Sequence, residues 1–282
     1  MQKRLIAIET DYGTADGRAA KLVGAVKRVD ASLEVCFANH ACPRGNILFA
    51  GTMLYNSLAF FPRDTVYACI VERADGENPP CAAKTHDGKL ILAPDNGSLT
   101  IWLENFGIAA LRRLDAAQAP ADMNPYAWFA ARLANGTLAF DGLGPEYPVE
   151  SAQRFPMRGA AVGEGYAECG VLSVMENFGN LNLSVSIERF EQTGIRFGDT
   201  VRVTLCCGEE IRFDADVRYD RSFGFTAPGA PILFNGSSGY VGLGLNQASF
   251  SDQYMKDRRE LPDGVGAYAL VIRKAAAGKE AS

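Results

Sequence analysis

Apolar and polar positions follow different patterns in the two halves of the chain, and the difference predicts two kinds of domain. In the first half, short, nearly all-apolar runs alternate with segments whose apolar residues recur at helical spacing. The runs predict buried strands at residues 5–9, 33–38 and 65–71. The helical spacing predicts helices over 19–29 and 47–61, near 99–106 and near 125–133. This alternation is typical of an α/β unit, and the hairpin signal His86-Asp87-Gly88 adds an antiparallel part to its sheet.

The second half contains short β-branched or alternating runs separated by turn residues, with no helical period. Strands are predicted at residues 201–206, 210–217, 231–235, 240–245 and 268–273. Strands at this spacing indicate a small antiparallel barrel or sandwich. The predicted fold class is therefore an α/β N-terminal domain with a mixed, largely parallel sheet, followed by an all-β C-terminal barrel domain.

The domain limits follow from changes in composition along the chain. Residues 1–150 are expected to form the α/β domain and residues 169–274 the barrel domain. The segment between them, 151–168, belongs to a Pro- and Gly-rich stretch and is predicted to be a linker. Residues 275–282 are predicted to be a disordered tail.

Composition narrows the classes of partner. The chain has 282 residues, a net charge of -5 and no long run of Lys or Arg, which argues against a nucleic-acid-binding surface. No segment approaches the roughly 18 uninterrupted apolar residues of a membrane helix, so we expect no membrane partner. The seven cysteines and two histidines contain no metal-ligand spacing. We therefore expect no metal, reduced thiols and a cytoplasmic location.

The first candidate binding residue is Asp11, in the motif Thr10-Asp11-Tyr12-Gly13 at the carboxyl end of the first predicted strand. Ligands of open α/β sheets bind at that edge. A carboxylate there can accept hydrogen bonds from the two vicinal hydroxyls of a ribose. The alternative is that Asp11 is only a turn or helix-cap residue.

Two further motifs lie in the predicted barrel. In Glu176-Asn177-Phe178-Gly179-Asn180, the Phe offers a stacking face, the last Asn has the donor and acceptor that suit an adenine edge, and the Glu can hold an ammonium group. The pair Ser237-Ser238, between glycines at a hairpin tip, exposes hydroxyl and N–H groups to a carboxylate. Ordinary turn chemistry also explains each motif when it is taken alone.

Taken in order, these motifs resemble the S-adenosylmethionine (SAM)-cleaving family, which comprises the fluorinase, the chlorinase and the SAM hydroxide adenosyltransferases, or SAM hydrolases. The resemblance extends over residues 5–272, nearly the whole chain. It rests on Thr10-Asp11-Tyr12-Gly13 with Asp16-Gly17, Phe60-Phe61-Pro62 with Thr65-Val66, Ala93-Pro94-Asp95-Asn96-Gly97 with Leu99-Thr100, Phe178-Gly179-Asn180, and the Ser-Gly-Tyr hairpin before Asn246. Each motif is short, but their shared order and spacing make the match specific.

The resemblance implies a homotrimer whose active site lies between the N-terminal domain of one subunit and the C-terminal domain of the next. SAM would be the small-molecule substrate, with no further cofactor, and Asp11 would bind its ribose hydroxyls. The sulfonium leaves as a neutral thioether, so the reaction needs no general acid at the leaving group. The enzyme must instead align the nucleophile with the C5′–S bond and remove its water shell.

The family's adenine and methionine contacts transfer to the second half of the chain. By this resemblance, Phe178 and Phe223 would sandwich the adenine, and Asn180 would bind its edge. Glu176 stands where the family has Asp and would bind the methionine ammonium. Ser237-Ser238 would hold the methionine carboxylate, although the fluorinase has Arg at the second position.

The loop after the third predicted strand departs from the family. Hydroxide-transferring members carry an Asp, Arg and His set, but here Glu72 replaces the Asp, and the other two positions fall near Pro79 and Ala121. We interpret Glu72 and Asp75 as the candidate catalytic pair. If both line the pocket, repulsion and burial would leave one carboxylate suited to orient or deprotonate water. The alternative is a solvated acidic loop.

The halogenase pattern also fails to match. The halide-contacting Ser of the fluorinase aligns with Asp122 and its pocket Trp with Arg44. A carboxylate beside a halide site would repel the anion, which makes a halogenase less favoured. The leading hypothesis is a SAM hydrolase that forms adenosine and L-methionine. The alternatives are a SAM-dependent halogenase and a catalytically inactive SAM- or adenosine-binding protein.

Overall fold

The computed structural model describes residues 3–74, 77–261 and 264–274. The chain divides after Phe155 into two compact units, Met1–Phe155 and Pro156–Ser282. Across the described ranges, no helix is long and apolar enough to span a membrane. The predicted tail, 275–282, lies outside the described residues.

The first unit is an α/β layer structure. Its strands are β1 (Ile6–Thr10), β2 (Val35–Asn39), β3 (Val66–Ile70), β4 (Pro80–Lys84), β5 (Leu90–Pro94), β6 (Ala110–Arg113) and β7 (Glu146–Tyr147). Its α-helices are α1 (Arg18–Val29), α2 (Ile47–Leu58), α3 (Thr100–Asn105) and α4 (Pro125–Ala134). Every residue of β1, β3 and β5 is buried, which explains their continuous apolar runs.

The strands form one mixed sheet in the order β2-β1-β3-β5-β4-β6-β7, which confirms the predicted fold class. The four strands from β2 to β5 in this order are parallel, and the remaining pairs are antiparallel. Helices α1 and α4 pack on one face of the sheet, and α2 and α3 pack on the other. The strand order changes direction between β1 and β3, so the loops after these two strands meet at the carboxyl edge.

The second unit is a barrel with two short helices. Its strands are β8 (Ala161–Gly163), β9 (Tyr166–Met175), β10 (Asn180–Ser186), β11 (Thr200–Cys207), β12 (Glu210–Tyr219), β13 (Pro231–Asn235), β14 (Tyr240–Leu245) and β15 (Tyr268–Lys274). Helices α5 (Ile187–Glu191) and α6 (Phe250–Tyr254) complete it. Seven strands in the order β10-β14-β13-β12-β11-β15-β9 close through the β9–β10 pairing, and β8 adds to the outside of β9. The predicted barrel is thus confirmed.

Two local features differ from the sequence predictions. Strands β8 and β9 begin inside segment 151–168, which was expected to be a linker. Gly165, at φ +66°, turns the chain between these two strands, so this glycine of the segment forms a hairpin turn and not a flexible linker. In addition, β12 and β13 pair in parallel, because the segment between them crosses back instead of making a tight turn.

Candidate functional site

The carboxyl ends of β1 and β3 border a pocket of about 470 Å³ in the first unit. Asp11 directly follows β1, and Glu72 lies just beyond β3. Both line this pocket, at the point where the order of parallel strands reverses. Ligand sites of open α/β sheets form at such points. The structure therefore brings together two of the residues that the sequence singled out.

The Asp11 carboxylate is fixed on one side and open on the other. Its Oδ2 accepts a hydrogen bond from Gly45 N at 2.9 Å, whereas Oδ1 accepts none from the described residues. Beside it, the Thr10 hydroxyl lies 2.8 Å from His40 Nδ1, and Gly13 N donates to His40 O at 2.8 Å. The turn after β1 is thus tied to the end of β2, and one oxygen of Asp11 is left to accept from a ligand.

The loop that carries Glu72 is held by two asparagines. Asn78 Oδ1 accepts from Arg73 N at 2.9 Å, and Asn78 Nδ2 donates to Arg73 O at 3.0 Å. The buried Asn96 donates through Nδ2 to Val71 O at 3.0 Å and to Asn78 Oδ1 at 2.8 Å. The motif after β5 therefore supports the loop after β3.

Of the two predicted catalytic carboxylates, the structure describes only that of Glu72. Glu72 lines the pocket, but it is exposed, so the burial on which its expected acid–base role depended is not found. Asp75 lies outside the described residues. The pairing of the two carboxylates therefore stays a prediction, and Glu72 is placed to contact a solvent-accessible ligand or water.

Arginines dominate the charge of this pocket. Arg18, Arg44 and Arg73 all belong to its lining. Three guanidinium groups thus accompany the carboxylates of Asp11 and Glu72. Arg18 also forms an ion pair, at 2.6 Å, with Asp16, which does not belong to this lining. The arginines consequently reduce the electrostatic repulsion of an anion that the sequence predicted for the active site.

Sequence reasoning did not single out Glu9, the buried carboxyl group next to this site. Glu9 is fully buried in β1, and the Tyr67 hydroxyl donates to its Oε2 at 2.9 Å. Burial raises the pKa of Glu9 from 4.5 to about 8. Hydrogen bonds from Tyr67 and Cys69 lower this pKa, but their effect is smaller than that of burial. The carboxyl group is therefore protonated near neutral pH. A Glu inside an otherwise apolar strand was the available signal.

A second pocket, of about 390 Å³, lies in the barrel unit at the turn between β9 and β10. Gly179 shapes this turn, because its φ is +67° and a side chain there would overlap the Ser249 hydroxyl. The structure gathers here four of the residues predicted to bind substrate: Glu176, Phe178, Asn180 and Phe223. Residues of the lining that the sequence analysis gave no role include Gln247, Ser249 and Asp252.

Asn180 supplies the buried polar group of this pocket. Only 7% of the residue is exposed, and its Oδ1 has no hydrogen-bond partner among the described residues. Gly244 on β14 makes room for it, because a Cβ at Gly244 would overlap Asn180 Oδ1. An unpaired buried acceptor is costly, so this oxygen suits a donor that arrives with a ligand.

Two phenylalanines flank the pocket in different ways. Phe178 is 63% exposed, which is unusual for a large apolar residue. Phe223 is half-buried and its carbonyl accepts from Asn246 Nδ2 at 3.1 Å, while its ring lies 5.0 Å from that of Phe234. One aromatic face is thus fixed by packing, and the other is open for stacking.

Glu176 does not stand alone at the pocket. Its Oε2 accepts from Arg259 Nη2 at 2.6 Å and from Arg258 Nη2 at 3.3 Å. Arg258 is buried and also contacts Asp252 Oδ1 at 3.3 Å. The predicted ammonium-binding carboxylate is therefore part of a four-membered charge cluster.

The serine pair lies elsewhere in the barrel. Ser237 and Ser238 occupy the turn between β13 and β14, and neither is in the lining of the Asn180 pocket. The Ser238 hydroxyl lies 3.5 Å from Asn182 Oδ1. Their predicted role with a carboxylate stays a prediction. In the part of the chain that the structure describes, no group of three or more His, Cys, Asp or Glu is placed to hold a metal ion.

Comparisons with known proteins agree with these observations. Residues 6–143 match the sequence model of the SAM hydroxide adenosyltransferase N-terminal domain, and residues 171–260 match that of the C-terminal domain. An (R)-S-adenosyl-L-methionine hydrolase from Salinispora tropica is 26% identical over 256 residues, which cover 88% of this chain and 92% of the relative. A fluorinase from Actinopolyspora mzabensis is 21% identical over 285 residues, covering 89% and 93%.

Solved structures share the fold. An uncharacterized conserved protein from Thermotoga maritima superimposes with a TM-score of 0.80 at 23% identity, over 95% of this chain and 100% of that one. A conserved hypothetical protein from Thermus thermophilus gives a TM-score of 0.71 at 25% identity, over 96% and 100%. The two domain matches, which span most of both units, show that the chain belongs to the SAM hydroxide adenosyltransferase family.

Proposed function

We propose that this protein is a SAM hydrolase, in which water attacks C5′ of SAM to release adenosine and L-methionine. The observation that carries the proposal is the unpaired, buried Oδ1 of Asn180 in a pocket that Phe178 and Phe223 also line. An amide oxygen in that position can accept from the exocyclic amine of adenine, and the exposed Phe178 ring can stack on the base.

The first unit would supply the ribose contact. Asp11 Oδ1 accepts no hydrogen bond from the described residues, and Oδ2 is held by Gly45 N. A carboxylate fixed in this way can accept from a ribose hydroxyl without first reorganising. The homotrimer implied by the family resemblance would join this contact to the barrel pocket of a neighbouring subunit. Light scattering at micromolar concentration tests that assembly, and a monomer that still binds SAM would contradict it.

Glu72 is the candidate for orienting the attacking water. Its exposed carboxylate lines the Asp11 pocket, and Asn78 and Asn96 hold the loop on which it lies. A water molecule that donates to this carboxylate keeps a lone pair free to attack carbon. Because the sulfonium leaves as a neutral thioether, positioning and partial desolvation of that water are the main tasks of the site.

One observation favours a second candidate, a SAM-dependent halogenase. The guanidinium groups of Arg18, Arg44 and Arg73 offset the carboxylates of Asp11 and Glu72 in the same pocket. A halide would meet attraction as well as repulsion there. The fluorinase relative is consistent with this candidate, whereas the hydrolase relatives support the first.

The deciding experiment is to incubate the protein with SAM alone, with chloride and with fluoride, and to separate the nucleosides by chromatography. The hydrolase proposal expects adenosine in all three samples at the same rate. Halogenated deoxyadenosine would establish the second candidate instead. No turnover together with SAM binding would support a binding protein without catalysis. Glu72→Gln should slow adenosine release by roughly 10²-fold, while Glu104→Gln, at an exposed position of α3, should not.

A further inference from the structure

The charge cluster around Glu176 offers more than an ammonium site. We propose that Arg259 binds the carboxylate of the ligand's amino-acid group, next to Glu176, which binds the ammonium of the same group. This inference rests on the proposed function, because it assigns a residue to the methionine end of SAM. It makes Arg259 a substrate-binding residue that no sequence motif indicated.

The geometry of the pair matches an α-amino acid. Both guanidinium contacts of Glu176 use Oε2, and Oε1 accepts no hydrogen bond from the described residues. Glu176 lines the pocket, and Arg259 Nη2 lies 2.6 Å from its Oε2, so a positive group stands directly behind the negative one without itself belonging to the lining. An α-amino acid carries an ammonium and a carboxylate on one carbon. Such a group can bind with its ammonium beside the Glu176 carboxylate and its carboxylate beside the Arg259 guanidinium, so that each charge faces an opposite charge.

Arg258 gives Glu176 a partner that does not depend on Arg259. The Arg258 side chain is only 8% exposed and lies 3.3 Å from both Glu176 and Asp252. Its Nη1 also donates to Met255 O at 3.3 Å, which fixes the guanidinium from a third side. Arg258 is therefore a positioning residue that holds the carboxylate at the pocket when Arg259 turns toward a ligand.

Arg259 is suited to a movable contact. Its side chain is 72% exposed, and Glu176 is its ion-pair partner within the described ranges. A guanidinium has five N–H donors, so it can keep one on Glu176 and offer two to a carboxylate. By contrast, the Ser237-Ser238 turn offers no positive charge, and the Ser238 hydroxyl faces Asn182. A charged donor binds a carboxylate more strongly than a neutral one.

The test is calorimetry of the full chain with three ligands that share the adenosine group. S-Adenosylhomocysteine carries both tail charges, its decarboxylated analogue carries only the ammonium, and 5′-methylthioadenosine carries neither. Arg259→Ala should weaken S-adenosylhomocysteine binding by about tenfold or more and leave methylthioadenosine binding unchanged. The ammonium-only ligand should bind Arg259→Ala at least as tightly as wild type, because Glu176 then has one cation fewer beside it.

Two variants separate binding from a structural effect. Arg259→Lys keeps the charge and should restore part of the lost affinity for S-adenosylhomocysteine. Arg202→Ala removes an exposed arginine on β11 that pairs with Asp214 at the surface, and it should change none of the three affinities. Equal weakening of all three ligands by Arg259→Ala, or no weakening of S-adenosylhomocysteine, would overturn the inference alone. Failure of methylthioadenosine to bind wild-type protein would overturn the proposed function, and the inference with it.

Discussion

The two pockets of this protein are built in different ways. The pocket beside Asp11 consists of loops that follow parallel strands, and charged side chains of both signs line it. The pocket beside Asn180 consists of a tight turn and strand ends, and a buried amide and two aromatic residues line it. Under the proposed function, packing would fix the binding of the flat adenine ring in the barrel pocket, whereas charges carried by loops would govern the nucleophile in the Asp11 pocket.

The largest effect is expected from Gly179→Ala, which breaks the turn of the barrel pocket. Gly179 and Gly194 have φ values of +67° and +74°, but only at Gly179 would a Cβ overlap another residue, Ser249. Gly194→Ala should therefore cost about 1–2 kcal/mol for its left-handed backbone. Gly179→Ala should cost on the order of 2 kcal/mol more, because packed atoms must move. Urea unfolding measures both, and equal losses would contradict the packing argument.

Glu9→Gln tests how the buried carboxyl group of β1, next to the Asp11 pocket, makes stability depend on pH. The pKa of Glu9 is about 8 in the folded chain and 4.5 in the unfolded one, so the folded protein holds the proton more tightly. The stability from neutral Glu9 is complete below about pH 4.5 and is lost as pH rises through about 8. Between those limits the free energy of unfolding should fall by up to about 1.4 kcal/mol per pH unit. Denaturant titrations from pH 5 to 8 should show a shallower slope in Glu9→Gln, and an unchanged slope in Glu104→Gln.

Asp11→Ala removes the charged contact of the loop-built pocket. Loss of a charge-assisted hydrogen bond should weaken adenosine binding by at least tenfold, or about 1.5–3 kcal/mol. Asp64→Ala is the matched control, because Asp64 is exposed and precedes β3 at the opposite edge of the sheet. Calorimetry that finds the two variants equal would remove Asp11 from the site. Asp11→Asn keeps an acceptor for Gly45 N, so it separates loss of charge from loss of the loop contact.

The smallest effect is expected from Asn180→Ala, and a neighbour makes it informative. Because Asn180 Oδ1 is unpaired, its removal should leave stability nearly unchanged and weaken adenosine binding by about two- to tenfold. Asn182 is equally buried, but its Nδ2 donates to Ser173 Oγ at 3.0 Å. Asn182→Ala should thus lose about 1 kcal/mol of stability and keep adenosine affinity. The opposite pattern would show that Asn180 serves the fold and not a ligand.

The sequence predicts this fold well where local patterns decide it. Continuous apolar runs locate β1 and β3 because both faces of these strands are buried, and short apolar or alternating runs locate β2 and most barrel strands. Helices α5 and α6 were not predicted, since each has five residues and too few turns for a period to appear. The parallel pairing of β12 and β13 also depends on a tertiary crossover that carries no local signal.

Prediction of the site divides in a similar way. Asp11 and the Phe178–Asn180 turn were identifiable because each is a compact motif at a strand end. Arg259 and its partner Glu176 are far apart in sequence, so no spacing rule joins them. The exposure of Glu72 was likewise out of reach, because it depends on how the loop held by Asn96 leaves β3.

The closure of the barrel has a consequence for the order in which the protein folds. The β9–β10 hairpin carries the Asn180 pocket early in the second unit, yet its two outer edges pair with β14 and β15, near the end of the described chain. During synthesis these edges wait for partners 54 to 107 residues further along, as contacts of high sequence separation do. Until β14 emerges both edges are open templates for pairing with other chains, and the β9 edge stays open until β15 emerges. A ribosome that stalls before Tyr268 would therefore release a chain whose pocket-forming hairpin is also its site of aggregation.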